Sequence, residues 1–135
     1  MSLIAPLLVQ IALTLGLVGL VGVSRIGALR RREVPLAAVA ASNDAWPEPV
    51  RLISNNYANQ FETPVLFYVL VLLALHLGAT GPGLAVTAWI FVASRLAHSL
   101  IHLNGNNVRL RFNAFAVGTL ALLAMAVQLG FTAFS

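Results

Sequence analysis

Four stretches of this chain, around residues 3–24, 50–77, 84–103 and 109–134, are long and apolar enough to cross a lipid bilayer, and little else about the sequence constrains it as much. In hydrocarbon every backbone N–H and C=O must be satisfied within the spanning segment, so runs of this kind form helices. The composition agrees. With 59% hydrophobic residues, 9% charged residues and a mean hydropathy of +0.89, a water-soluble globular domain is excluded. The 135 residues are used up by four spans and short connections. The expectation is an all-α integral membrane protein, a four-transmembrane-helix bundle forming one domain over residues 1–135. So few helices enclose only a small core, which favours self-association.

The net charge of +4 comes from eight arginines and no lysine, set against Glu33, Asp44, Glu48 and Glu62. This basic balance does not point to nucleic acid, because the arginines cluster in the first and third connections or on the helix ends that meet there. The turn GATGPG (residues 78–83) and both termini carry none. Retention of positive loops on the cytoplasmic side then puts the arginine end in the cytoplasm and both termini outside. The absence of cysteine rules out disulfides, a cysteine nucleophile and a thiolate metal site.

Residues 3–23 contain no charge, and they lack the positive start and short apolar region of a cleaved signal, so a retained helix is expected. Gly16, Gly19 and Gly22 offer a surface for close helix approach. The first connection runs from Arg25 to Trp46; its middle, PLAAVAAS, is too short to span and is a loop or a short interfacial helix. Trp46 suits the membrane interface. The second helix, from about Pro49 to Leu77, is longer than hydrocarbon requires, and Pro64 is expected to bend it.

That second helix opens with polar residues where lipid would otherwise lie. At about 100° per residue, Arg51, Asn55, Asn59 and Glu62 fall within roughly 80° of one another. A carboxylate such as Glu62 at membrane depth needs a partner or a cavity. On the third helix Arg95, His98 and His102 fall within roughly 60°, with Ser94 and Ser99 nearby. On the fourth, Arg109 and Arg111 lie about 160° apart, so only one of them faces the interior. Structural readings stand beside functional ones. Arg95 and Glu62 are candidates for an ion pair between helices, and Asn55 and Asn59 for interhelical hydrogen bonds. His98 and His102 lack an HExxH pattern, and no metal site is assigned. A proton path through Glu62, His98 and His102 finds no ionisable continuation in residues 65–75.

The segment NQFETP, with Asn59, Glu62 and Pro64 ahead of an apolar helix, resembles the NxxE and downstream proline of the MAPEG family, membrane-associated proteins of eicosanoid and glutathione metabolism. SRLAHSLIH (residues 94–102) resembles the family's ARxAHTxxY, and Arg111 falls at the spacing of its fourth-helix arginine. Length, four spans and motif order extend the likeness over essentially the whole chain. It departs from the pattern at Asn55, where many members have arginine and where Arg51 lies one turn earlier. His102 and Phe115 stand at tyrosine positions.

The resemblance implies a homotrimer of a bacterial type, in the inner membrane, with glutathione as co-substrate between neighbouring subunits near the cytoplasmic face. It implies Arg111 as the catalytic residue that stabilises the thiolate. Asn59 and Glu62 are implied for binding; Arg51, Asn55, Arg95, His98 and His102 complete the candidate binding set. The chemistry is coherent, since glutathione has carboxylates for arginines, an amine for Glu62 and peptide groups for Asn59. The implied activity is a glutathione-dependent transferase or peroxidase acting on lipophilic small molecules from the bilayer. The alternative is a non-catalytic membrane subunit or scaffold, in which the same polar groups only join helices.

Overall fold

The computed structural model describes residues 2–79 and 81–134, and among these every regular element is helical. Helix α1 covers Ile4–Arg30, α2 Leu36–Ala41, α3 Glu48–Ala58, α4 Thr63–His76, α5 Pro82–Leu103 and α6 Val108–Phe134, with single 3₁₀ turns at Asn43–Ala45 and Asn59–Phe61. Four spanning helices result: α1, the broken pair α3–α4 as one unit over Glu48–His76, α5 and α6. This is an integral, multi-pass helical bundle.

The bundle is organised around α5. Half of its apolar window is buried, against 22% for α1 and 28% for both α3–α4 and α6. Its Leu84, Ala85, Ala88, Phe91 and Val92 meet Phe67, Val71 and Ala74 of α4 and Ala121, Leu122, Met125 and Leu129 of α6. Phe67 and Phe91 stack with centroids 4.6 Å apart. Small residues bring α5 and α6 together: a Cβ at Gly118 would lie 2.5 Å from Ser94 Oγ. The glycines expected to serve close packing do not serve it within the protomer. Among the described residues a Cβ at Gly16, Gly19 or Gly22 would meet nothing within 4 Å, because that face of α1 looks outward.

The first helix continues past the expected end near residue 24 to Arg30, since nothing between breaks a helix; it stops where Arg32 takes the left-handed conformation (φ 57°). Arg25 therefore sits on the helix, not in the connection. Just beyond α1 the Arg31 guanidinium pairs with Glu33 at 2.6 Å and holds that carboxyl below the usual carboxylate range. The PLAAVAAS segment forms the short helix α2 after Pro35. Trp46 is buried with Ala28, Val34 and Val50 and carries the Arg25 guanidinium 5.2 Å over its ring, which pins the connection to α1 and α3.

The expected bend at Pro64 is a break located upstream of it. Pro64 has no N–H, and its ring crowds the carbonyl four residues earlier. The chain accordingly leaves the α-helix after Ala58, turns through Asn59–Phe61, takes φ −99°, ψ −108° at Glu62, and restarts at Thr63 with proline in the first turn. Arg51, Asn55, Asn59 and Glu62 consequently do not form one continuous stripe. At the far end Gly78 (φ 65°) closes α4, with Ala79 N–H reaching Ala74 O at 2.9 Å.

Candidate functional site

The break after Ala58 leaves carbonyls at the end of α3 without the amides of a following turn. Arg95, 2% exposed on α5, supplies a donor: its Nη2 reaches Asn59 O at 2.9 Å. The expected ion pair between Arg95 and Glu62 is not formed, because the arginine is engaged by that backbone oxygen. Among the described residues the only ion pair within 4 Å is Arg31–Glu33. Glu62 remains an exposed carboxylate.

One turn along α5, His98 joins three elements. Its Nε2 lies 3.4 Å from Asn59 Nδ2, and its Nδ1 lies 3.2 Å from the Arg111 carbonyl. One assignment satisfies both contacts: a neutral ring with the proton on Nδ1, donating to Arg111 O and accepting from the Asn59 amide. The α3–α4 break, α5 and the start of α6 are thereby tied together.

Arg111 is oriented from the other side. The turn NGNN places Gly105 at φ 83° and Asn106 at φ 48°, a left-handed pair that glycine and asparagine adopt at least cost. Asn106 Oδ1 then accepts from Arg111 Nη1 at 2.6 Å, and Asn107 Oδ1 caps the Leu110 N–H at 3.2 Å. Of the two fourth-helix arginines, Arg111 is half-buried and Arg109 exposed. An arginine side chain carries five N–H donors, so the single bond to Asn106 leaves most of them for an anion.

These groups line one cavity of about 220 Å³, bounded by Asn59, Glu62, Arg95, His98 and Arg111, with Val108, Phe112 and Phe115 as the apolar wall. Its polar lining combines a carboxylate with no side-chain hydrogen-bond partner among the described residues, an amide, an imidazole and two guanidiniums. Three residues from the candidate set lie elsewhere in the protomer. Arg51 and Asn55 line a separate cleft beside Arg25. His102 is buried, edge-on to His98 at 6.0 Å, and its Nδ1 has no partner among the described residues. Among the described residues no group of three or more metal-ligating side chains converges.

Comparison with known proteins decides the family. The MAPEG family model matches residues 3–131. The chain belongs to the MAPEG family. It is thus a multi-pass membrane protein of the glutathione and eicosanoid metabolism family. No curated protein and no solved structure gives a significant match. On this MAPEG chain the NxxE residues Asn59 and Glu62, the third-helix Arg95 and His98, and the fourth-helix Arg111 all reach the same cavity.

The sequence pattern missed part of this arrangement. Buried Asn56 and Gln60, each one position beyond the stripe residues Asn55 and Asn59, carry a second network. Gln10 Nε2 donates to Gln60 Oε1 at 3.1 Å, Gln60 Nε2 to Asn56 O at 3.0 Å, and Asn56 Nδ2 to Ser99 O at 3.3 Å. The available signal was Gln10 itself: a lone amide in an apolar span requires a polar partner on a neighbouring helix. Asn106 was also missed; its signal was the NGNN turn, whose second asparagine can take a left-handed conformation.

Proposed function

We propose that this protein is a glutathione-dependent membrane transferase or peroxidase acting on lipophilic electrophiles through a thiolate stabilised by Arg111. The observation that carries this reading is the convergence of Arg111 and the free Glu62 carboxylate on one cavity, with the arginine held in place by Asn106. Glu62 suits the ammonium of glutathione and Asn59 its peptide groups, while Arg111 faces the sulfur. A free thiol has a pKa near about 8.5, and an adjacent cation in a poorly hydrated site favours the ionised form. Arginine stays protonated throughout, so it stabilises the anion without competing for its proton.

The proton leaves to solvent when glutathione binds. The sulfur then forms a carbon–sulfur bond with the electrophile, whose leaving group departs with the electron pair. With a hydroperoxide the thiolate instead attacks the terminal oxygen and the O–O bond breaks. A sulfenic acid forms, the departing alkoxide takes a proton from solvent to become the alcohol, and the thiol of a second glutathione converts the sulfenic acid to disulfide and water. Exposed Phe112, on the cavity wall and at the protein surface, suits a substrate arriving from lipid.

The cavity's volume of about 220 Å³ lies below the range of about 300–1,000 Å³ usual for ligand pockets. This supports completion of the site by a neighbouring copy, in a homotrimer, as does the outward-facing glycine face of α1. We place the protein in a bacterial inner membrane as one domain, the arginine end cytoplasmic and both termini outside. Arg95 and His98 serve chiefly to hold the helices that frame the cavity, because their hydrogen bonds join backbone and side chains of different elements.

The test is conjugation of glutathione to an activated aryl halide by purified protein, with the thioether read by mass spectrometry and the assembly by native mass. Arg111→Ala is expected to abolish product and Glu62→Gln to reduce it severely at limiting glutathione, both leaving the trimer intact. Loss of the oligomer in these variants, with no thiol-dependent product from the wild type, would establish the scaffold reading instead.

A further inference from the structure

A cleft of about 700 Å³ lies apart from the cavity that holds Arg111. It lies between the last third of α1, the 3₁₀ turn at Asn43–Ala45 and the start of α3. Two guanidiniums, Arg25 and Arg51, and two carboxylates, Asp44 and Glu48, line it. These opposite charges share one cleft without pairing: among the described residues Arg31–Glu33 is the only ion pair. A cleft whose cations and anions stand apart matches a ligand that carries both signs.

Arg25 is built into place. Its Nη2 donates to Ser54 Oγ at 3.2 Å and to Asn43 Oδ1 at 3.4 Å, and its guanidinium rests on the Trp46 ring. Only Nη2 is engaged in these bonds, which leaves the Nη1 donors unused among the described residues. An arginine held on three sides with unused donors is suited to an oxyanion. Arg51, exposed on the first turn of α3, has no side-chain partner among the described residues and is free to reach the same anion.

The depth of the cleft in the membrane narrows the class of ligand. Helix α1 has 27 residues and is about 40 Å long, against a hydrocarbon core of about 30 Å. Its arginine-bearing end therefore reaches headgroup level. There the cleft is walled by Tyr57 and Phe61, whose rings meet edge to face at 5.0 Å, with Phe61 57% exposed. Charge of both signs beside an exposed apolar wall fits an amphiphile.

We propose that this cleft is a headgroup site for an aminophospholipid, with the phosphodiester between Arg25 and Arg51, the primary ammonium at Asp44 and Glu48, and the first acyl carbons against Phe61. A headgroup seated here would fix the connection to the α1–α3 pair and so brace the frame on which α5 and α6 rest.

The experiment is native mass spectrometry of delipidated, detergent-solubilised protein titrated with dioleoyl phosphatidylethanolamine, phosphatidylglycerol or phosphatidylcholine, identical in their chains. Phosphatidylethanolamine is expected to be retained about tenfold better than the other two. Phosphatidylglycerol lacks the cation, and the quaternary amine of phosphatidylcholine cannot donate hydrogen bonds. Glu48→Gln is expected to erase the preference over phosphatidylglycerol, and Arg51→Gln to weaken phosphatidylethanolamine several-fold. Both positions are exposed, so neither substitution disturbs packing. Equal retention of the three lipids, or indifference to both substitutions, would overturn the proposal. So would displacement of bound phosphatidylethanolamine by saturating glutathione, which would assign the cleft to the thiol site.

Discussion

Asn106 provides the sharpest separation of fold from chemistry, because its backbone and its side chain do different things. The backbone at φ 48° closes the turn into α6, and glycine adopts that conformation more easily than asparagine. The side-chain oxygen holds Arg111 Nη1 at 2.6 Å. Asn106→Gly therefore keeps the turn and removes only the acceptor. A hydrogen bond to a charged group contributes about 1.5–3 kcal/mol. The lower end of that range corresponds to roughly one pK unit of thiol ionisation, at about 1.36 kcal/mol per unit. The assay is thiolate absorbance of the glutathione complex followed against pH, beside thermal unfolding in detergent. Asn106→Gly is expected to move the thiolate midpoint up by about one unit, with the melting temperature unchanged or slightly raised. Asn106→Asp keeps an acceptor oxygen but sets a negative charge against Arg111, and is expected to raise the midpoint although Arg111 stays in place. If Asn106→Gly ionises bound thiol as the wild type does, orientation of Arg111 by this turn is not part of catalysis.

The remaining expectations concern packing and recognition. Gly118→Ala puts a methyl 2.5 Å from Ser94 Oγ, which is itself held by Phe91 O at 2.6 Å, and is expected to destabilise by about 1–3 kcal/mol. Adding Ser94→Ala removes the clash and should restore at least half of that loss, as read by unfolding in a detergent titration. Gln60→Leu strands the buried Gln10 amide and should cost about 1–3 kcal/mol, whereas the Gln10→Leu, Gln60→Leu pair should cost less than the sum of the single changes in a double-mutant cycle. Glu62→Gln removes an exposed carboxylate that forms no ion pair among the described residues, so calorimetry should show glutathione affinity reduced about tenfold, about 1.4 kcal/mol, with no change in melting.

Much of this was legible in the sequence because a bilayer leaves few solutions. Apolar stretches of spanning length dictate four helices. The NxxE segment, the SRLAHSLIH segment and Arg111 could be grouped by helical phase and motif spacing. Phase failed where the backbone stopped being helical. Extrapolating 100° per residue through Asn59–Glu62 put Arg51 and Asn55 on the same stripe as Glu62, and the break imposed by Pro64 moves them to a different cleft. Charge pairing failed for a related reason. Arg95 has an obvious ionic partner in Glu62 on paper, but the same break exposes the Asn59 carbonyl, which takes the arginine instead. Gln10, Asn56 and Gln60 were hidden because a buried amide is recognised by its partner, and the partners lie 50 and 43 residues apart in the chain.

The most direct measurement of the central claim is ultraviolet difference absorbance at the thiolate band, for detergent-solubilised wild type and Arg111→Ala titrated with glutathione at neutral pH. The thiolate account requires a saturable band in the wild type that Arg111→Ala abolishes. Absence of the band from the wild type, together with no heat of binding by calorimetry, would contradict it.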